Sequence, residues 1–301
     1  MSIKYRKNRI KRLASGWNGE LKNDLLMCWK IPDDLFAKLQ FAIGLYISKA
    51  MHFSFISDEK QLVSLIHKNR KERLNITPNG AVVPKKEYQF EFNLVLRTWC
   101  EIVHKMTNPN SKLLSLFRLT PNIRIKFGEE INENKKRKLD TAIPHSDAWV
   151  EGPFGLNCHV PIFGDCNKNF LQFYKLTKES NFNENFLSTS STYDAMSWVL
   201  DYYEIDKKIK PKKGFINISD YALIHNTKRM PKAGLRVSID TTINSGNHAV
   251  HKDRISEYLK SIPNIGEEIF VKCNRSEKDK ISNKKSIYSH YTTGNLIRVK
   301  I

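Results

Sequence analysis

The 301-residue sequence lacks the features that would assign it to several specialised classes of protein. It contains no apolar run of about 18 residues, the length that a membrane-spanning helix needs. The basic N-terminus is followed by neither an apolar stretch nor a small-residue cleavage site, so we expect no signal peptide. We find no internal repeat, and the sequence assigns no oligomeric state.

Cysteine is scarce and scattered. The five cysteines are odd in number, and no two of them form a Cys-x-x-Cys pair. This pattern argues against a zinc ribbon and against a disulfide framework. It predicts reduced thiols in a cytoplasmic protein.

Acidic residues are few relative to basic ones, with 31 Asp and Glu against 50 Lys and Arg, for a net charge of +19. Such a charge attracts nucleic acid, anionic membrane or acidic metabolites. Lysine also accompanies abundant asparagine and isoleucine, and runs such as 134–138 and 207–210 then represent solvated loops. The sequence therefore disfavours a nucleic-acid partner without excluding it, whereas a small anionic substrate fits both interpretations.

The hydrophobic content of 40% predicts a globular protein with a sizeable core. We expect residues 1–114 to be mainly helical and to pack on that core. Apolar residues recur at helical spacing after Pro32 and again from Phe92 to Met106. A basic extension, residues 244–301, follows the core and contains one predicted helix, Lys252 to Ile262.

Residues 115–243 change to short segments typical of strands, interrupted by a predicted helical insertion at about 190–209. The predicted strands are Asn122–Phe127, Leu156–Phe163, Phe170–Leu176, Gly214–Ile218, Tyr221–His225 and Leu235–Ile239. Many short strands separated by turns favour a sandwich or a jelly roll. We therefore predict a mainly β (α+β) protein with flanking helices and a double-stranded β-helix core of the jelly-roll, cupin-like kind.

Two histidines and an aspartate supply a candidate metal site. His145 and Asp147 are two residues apart, so on a strand their side chains share one face, and His225 lies in a later apolar segment. Two imidazoles and one carboxylate form the facial triad that holds Fe(II) and leaves positions open for a co-substrate and O₂. The simpler interpretations are an exposed loop pair and an ordinary core histidine.

Arg236 and Ser238 alternate with Val237 on the last predicted strand and share its inward face. A guanidinium buried in a barrel is unfavourable unless it meets an anion, and its planar fork matches a carboxylate. Thr227, two residues after His225, projects to the same interior and adds a hydroxyl. The alternative is that Arg236 forms an ion pair with Asp240 or Asp220.

Three segments resemble the Fe(II)- and 2-oxoglutarate-dependent oxygenases, and within them the phytanoyl-CoA dioxygenase-like branch. They are Pro144–Trp149, Gly214–Thr227 and Gly234–Ser238. A fainter likeness, at 156–165, is to a subgroup tied to streptomycin and other sugar-derived metabolites. The resemblance spans about 119–242 and does not extend to the N-terminal third or the tail.

This resemblance implies that His145, Asp147 and His225 bind iron and that Arg236 and Ser238 hold the distal carboxylate of 2-oxoglutarate. Because halogenating relatives replace the carboxylate with a small residue, Asp147 implies hydroxylation or desaturation. The implied cofactors and co-substrates are Fe(II), 2-oxoglutarate and O₂. Further candidates are Asn157 and Thr227 for the oxo acid, and Arg124, Lys126 and Trp149 for the substrate.

The expected reaction oxidises a small polar, anionic metabolite derived from a sugar or an amino acid. Two alternatives remain open at this point. One is a hydroxylase that acts on protein or nucleic acid, and the other is a non-catalytic basic binding module on a jelly roll.

Overall fold

Two antiparallel sheets carry the fold in the computed structural model, which describes residues 1–70, 75–77, 79–128, 142–178, 194–245, 259–260, 266–273 and 296–300. The strands of the large sheet are β1 Glu20–Asn23, β2 Leu26–Lys30, β3 Leu114–Arg118, β4 Asn122–Lys126, β5 Leu156–Gly164, β8 Phe215–Asp220, β10 Arg236–Ser245 and β11 Leu259–Lys260. Their order in the sheet is β1-β2-β8-β5-β10-β3-β11, and β4 also pairs with β10.

The small sheet has the order β7-β6-β9. Its strands are β6 Asn169–Leu176, β7 Tyr203–Ile205 and β9 His225–Arg229. From β5 to β10 the chain crosses between the sheets, because β5, β8 and β10 lie in the large sheet and β6 and β9 in the small one. This alternation is that of a double-stranded β-helix, so the predicted jelly-roll fold class is confirmed. A separate pair, β12 Glu267–Val271 and β13 Leu296–Lys300, completes the described strands.

Five α-helices accompany the sheets in the described part of the chain: α1 Ile3–Gly16, α2 Asp33–Ala50, α3 Glu59–Lys68, α4 Gln89–Thr107 and the short α5 Ala148–Glu151. Ser2 caps α1, where its hydroxyl accepts a hydrogen bond from the Tyr5 amide at 3.3 Å. No helix among the described residues combines the length and the apolar character needed to cross a membrane.

Strand alternation divides the large sheet into an apolar face and a polar face. Val237 and Ile239 of β10 belong to the same buried apolar cluster as Trp99 of α4 and Tyr46 of α2. Arg236 and Ser238, which alternate with them, project to the opposite side, because neighbouring side chains on a strand point to opposite faces. The helices thus cover the apolar face, and the polar face is left to line the interior between the two sheets.

Several predictions about individual elements need correction. The segment Tyr221–Ile224 is a turn, and the strand begins at His225. Within the predicted insertion, Asp194–Tyr202 is a 3-10 helix and β7 follows directly. Of the predicted helix at 252–262, residues 259–260 form β11 against β3, and the remainder lies outside the described residues.

The N-terminal region contributes strands as well as helices. The hairpin β1–β2 was not predicted, yet β2 pairs with β8 along its whole length, from Leu26 opposite Ser219 to Lys30 opposite Phe215. The predicted boundaries of the three regions, at 114/115 and 243/244, stay predictions.

One buried ionic cluster attaches α1 to the large sheet. Asp220, at the end of β8, is fully buried and forms ion pairs with both Arg6 and Arg9 of α1. Burial raises the pKa of the Asp220 carboxyl, but the charges of Arg9 and Arg6 outweigh it and hold that pKa below its usual range. The same carboxylate accepts the amide of Ala222 at 2.7 Å, so it also shapes the turn that leads to His225.

We predict that Asp220→Asn destabilises the protein by about 3–5 kcal/mol, because it leaves two buried guanidinium groups without their counter-ion. Urea unfolding of both proteins measures this difference. The matched control is Asp24→Asn, which removes the partner of Lys7 in a pair whose carboxylate is half exposed. That change should alter stability by about 1 kcal/mol or less, and equal losses in the two variants would contradict the prediction.

Candidate metal centre and oxo-acid pocket

His145 and His225 are held side by side by their own backbones. Each donates its amide to the carbonyl of the other, at 2.9 and 3.0 Å, so they form a two-residue bridge at the edge of the small sheet. Their ring centroids lie 4.5 Å apart with the planes at 60°. The two histidines, distant in sequence, are therefore adjacent in the fold, as the predicted metal site requires.

Asp147 lies next to the two histidines, but its backbone conformation is not the one we predicted. It lies not on a strand but at the start of α5, with φ −65° and ψ −19°. Its Oδ1 lies 4.0 Å from His145 Nε2, and its Oδ2 lies 3.6 Å from His225 Nε2. These distances are longer than hydrogen bonds, so the three side chains converge on one point without hydrogen bonds between them.

Neighbouring groups orient His145 and the backbone that carries Asp147. His145 Nδ1 lies 2.7 Å from the carbonyl of Ile143, which requires the proton on Nδ1 and leaves the Nε2 lone pair facing Asp147. The hydroxyl of the buried Ser146 donates to the carbonyl of Tyr221 and accepts the amide of Ala148 at 3.0 Å. Together these contacts fix the start of α5 against the turn before β9.

The donor set fits a divalent cation. One ligand atom from each of His145, Asp147 and His225 lies within 4.8 Å of the others. Burial, together with the neighbouring His225, holds the pKa of His145 well below its ordinary value, so this imidazole is neutral. Burial raises the pKa of Asp147. A metal ion would supply the positive charge that favours the carboxylate form of this buried group.

The side chain of Asn157 contacts Asp147. Its Nδ2 donates a hydrogen bond to Asp147 Oδ2, whereas we expected this amide to donate to the oxo acid. Asn157 is therefore better described as a residue that orients the metal-binding carboxylate. Nothing in the local sequence pattern indicates this contact, because it depends on how α5 approaches β5.

Arg236 is a buried cation without an anion among the described residues. Only 2% of the side chain is exposed, and neither Nε nor Nη1 finds a hydrogen-bond partner. Both alternatives considered from the sequence are excluded, because Asp240 pairs with Arg124 at 2.7 Å and Asp220 pairs with the arginines of α1. Burial lowers the pKa of Arg236 to about 10, which reflects the unfavourable environment of the charge.

A single cavity of about 140 Å³ joins the metal-binding cluster to Arg236. Ser238 and Thr227, both buried, also line it. Ser238 lies two residues after Arg236 on β10, whereas Thr227 lies on β9 of the small sheet. Most of its other lining side chains are polar or charged, including Asn79, Arg118, Asn122, Arg124, Lys126, Glu151, Asn157, His159 and Asp240.

Among the substrate candidates, Arg124 and Lys126 line the cavity, but Trp149 does not. Trp149 is 1% exposed and packs with Phe173 in a buried apolar cluster separate from the one that contains Val237, so the structure does not bring it to the cavity. Arg118 and Glu151 form a 3.1 Å ion pair in the cavity wall that the sequence analysis missed. Nothing in their local pattern marks these two residues, which meet only because α5 lies next to β3.

Comparisons with known proteins return distant structural likenesses only. No family model matches the chain, and no curated protein matches it. The non-heme α-ketoglutarate-dependent epimerase SnoN from nogalamycin biosynthesis is 9% identical with a TM-score of 0.41, over 78% of this chain and 82% of SnoN. SnoN is also solved in complex with Fe³⁺, α-ketoglutarate and nogalamycin RO.

Two further likenesses are of the same kind. The N-substituted L-amino acid dioxygenase from Burkholderia ambifaria AMMD is 12% identical with a TM-score of 0.36, over 80% of this chain and 91% of its own. AviO1 from Streptomyces viridochromogenes Tue57 is 11% identical with a TM-score of 0.42, over 80% and 96%. SnoN and the Burkholderia enzyme, which is also solved with α-ketoglutarate (2-oxoglutarate), are of the superfamily that the sequence motifs resemble. At these TM-scores the likenesses carry no argument about this chain.

We predict that Asp147→Ala and His225→Ala each abolish tight binding of one equivalent of Mn²⁺, because either change leaves only two ligand side chains. Asn157→Leu should keep the site and weaken it by about 10- to 100-fold, the usual effect of losing a partner of a ligand. Isothermal titration calorimetry measures all three affinities. His104→Ala, which removes a histidine from the last turn of α4, is the control and should bind Mn²⁺ normally; unchanged binding by Asp147→Ala would refute the site.

Proposed function

We propose that this protein is an Fe(II)- and 2-oxoglutarate-dependent oxygenase. The observation that carries the proposal is the buried Arg236, which has no anion among the described residues and shares one cavity with the cluster of His145, Asp147 and His225. A facial triad leaves coordination positions open for a co-substrate that chelates the metal, and a carboxylate matches the planar fork of a buried guanidinium. 2-Oxoglutarate carries both groups on one short chain.

Each part of the chain has a defined task in this proposal. His145, Asp147 and His225 hold the metal, and Arg236 forms a bidentate ion pair with the distal carboxylate, with Ser238 and Thr227 as neighbouring hydroxyl groups. When bound, Fe(II) and 2-oxoglutarate together activate O₂ for oxidation of the substrate, with release of succinate and CO₂. The two sheets and the covering helices exclude bulk water from the reacting groups.

The polar cavity wall supports a small polar substrate that is anionic. Arg118, Arg124 and Lys126 bring positive charge to this wall, and Glu151 and Asp240 balance part of it. We infer hydroxylation or desaturation of a metabolite derived from a sugar or an amino acid. A substrate on protein or nucleic acid is the alternative; only the net charge of +19 favours it.

The test is to incubate the protein with Fe(II), ascorbate and 2-oxoglutarate under air and to measure succinate, first alone and then with panels of sugar phosphates, amino acids and their derivatives. Succinate formation that rises with one class of compound identifies both the reaction and the substrate class. If the protein binds metal and 2-oxoglutarate but forms no succinate under any condition, it is a binding module and not an oxygenase. Salt-sensitive retention on immobilised DNA, with turnover on an oligonucleotide, would instead favour the nucleic-acid alternative.

We predict that Arg236→Ala raises the KM for 2-oxoglutarate by roughly 10- to 100-fold, because a buried bidentate ion pair is lost. Arg236→Lys should lie between this variant and the wild type, since it keeps the charge and loses the planar fork. Initial rates of succinate formation at varied 2-oxoglutarate measure the effect. The control Arg97→Ala removes a largely exposed arginine that pairs with Glu268, and a KM increase of similar size there would argue against a specific role of Arg236.

A further inference from the structure

Strand β5 presents two polar side chains to the cavity, Asn157 and His159. They alternate with Cys158 and Val160, which belong to the apolar cluster on the helix side of the sheet. Asn157 is already accounted for by its hydrogen bond to Asp147. His159 has no role in the proposed function so far.

His159 is buried and unsatisfied. Only 4% of the residue is exposed, and neither Nδ1 nor Nε2 finds a hydrogen-bond partner among the described residues. It is not a member of the metal-binding cluster either. Buried polar atoms are nearly always paired in folded proteins, so an imidazole with two unpaired nitrogens facing a cavity indicates that a ligand atom belongs beside it.

The register of the strands places His159 between the two ends of the proposed site. On the antiparallel strand β10, Thr242 lies opposite Asn157 and Asp240 lies opposite His159. Arg236 lies four residues before Asp240, opposite Gly164, and is therefore on the side of His159 that is away from Asn157. At a rise of about 3.3 Å per residue, His159 is roughly 7 Å beyond the level of Asn157, in the direction of Arg236. A dicarboxylate that extends through this cavity from the metal-binding cluster to Arg236 therefore runs along the wall that carries this imidazole.

The state of the ring suits an anionic neighbour. Burial, and then the charge of Arg236, lowers the pKa of His159 well below its ordinary value. A neutral imidazole offers one N–H donor and one lone pair. It thus adds a directed hydrogen bond without a further positive charge next to Arg236. Asp240, the residue opposite His159, is already paired with Arg124.

The geometry points to His159 as a hydrogen-bond donor to bound 2-oxoglutarate, at the part of the oxo acid between the metal-binding cluster and Arg236. This assignment rests on the proposed function. It makes His159 a determinant of affinity for the oxo acid and not of affinity for the metal, because the cluster of His145, Asp147 and His225 is complete without it.

The experiment is calorimetric titration of the full-length protein loaded with Mn²⁺, with 2-oxoglutarate as the titrant and no turnover. His159→Phe keeps a planar ring and removes both nitrogens, and we expect the Kd for 2-oxoglutarate to rise about 10- to 100-fold, as for loss of a hydrogen bond to a charged group. His159→Asn and His159→Gln each keep an N–H donor, at the reach of Nδ1 and Nε2 respectively. One of them should restore the affinity to within a few-fold, which also identifies the donating nitrogen.

Two controls accompany this series. Cys158→Ala perturbs the same strand on its opposite, apolar face and should bind 2-oxoglutarate normally. The Kd for Mn²⁺ should be unchanged in every His159 variant. If the phenylalanine variant does not fold, judged by its thermal unfolding, His159→Leu takes its place.

Distinct outcomes separate this assignment from the proposed function. Failure of the wild-type, Mn²⁺-loaded protein to bind 2-oxoglutarate overturns both. Wild-type binding with an unchanged Kd in His159→Phe overturns the role of His159 alone, and so does an equal loss in the phenylalanine, asparagine and glutamine variants, which would indicate shape instead of a hydrogen bond. A parallel loss of Mn²⁺ affinity would also reject it.

Discussion

The buried guanidinium of Arg236 is the constraint on which the interpretation of this molecule depends. A cation with 2% exposure, and with no acid beside it among the described residues, is unfavourable in a folded protein unless a ligand completes it. Other buried arginines here show the usual solution, since Arg6 and Arg9 share Asp220. Because the neighbouring acid Asp240 pairs with Arg124, no described residue supplies the anion that would neutralise Arg236.

The same strand that carries Arg236 also supports the core. Val237 and Ile239 anchor β10 against the helices, while Arg236 and Ser238 face the cavity. The pairing of β10 with both β4 and β5 places it inside the sheet, where its position is fixed from two sides. The apolar face thus makes the polar face rigid, which is what a site for a small dianion requires.

Much of this site was predictable from local patterns because it is built on strands with a period of two. The alternation in 235–239 identified the inward residues, and the pairing of two histidines with one aspartate identified three side chains that the structure brings together. What local patterns mispredicted was the backbone around them. Asp147 lies at the start of a helical turn instead of a strand, and Tyr221–Ile224 turns before β9 begins. At the first place the Ser146 hydroxyl donates to the carbonyl of Tyr221, 75 residues further along the chain, and at the second the Asp220 carboxylate accepts the amide of Ala222 within the turn itself.

By itself, the amino-acid sequence determined which chemical groups are present and, for strand residues such as Arg236 and Ser238, which face of the strand each one occupies, because side-chain alternation is a local property of the backbone. The tertiary structure decided which of those groups meet. It placed His145 beside His225 through a backbone bridge, brought Asn157 within hydrogen-bonding distance of Asp147 and buried Trp149 in an apolar cluster. It also left both ring nitrogens of His159 and two guanidinium nitrogens of Arg236, in one cavity, without a hydrogen-bond partner among the described residues. These outcomes depend on the register between strands and on the approach of α5, and contacts between segments far apart in the chain leave no periodic signal in the sequence.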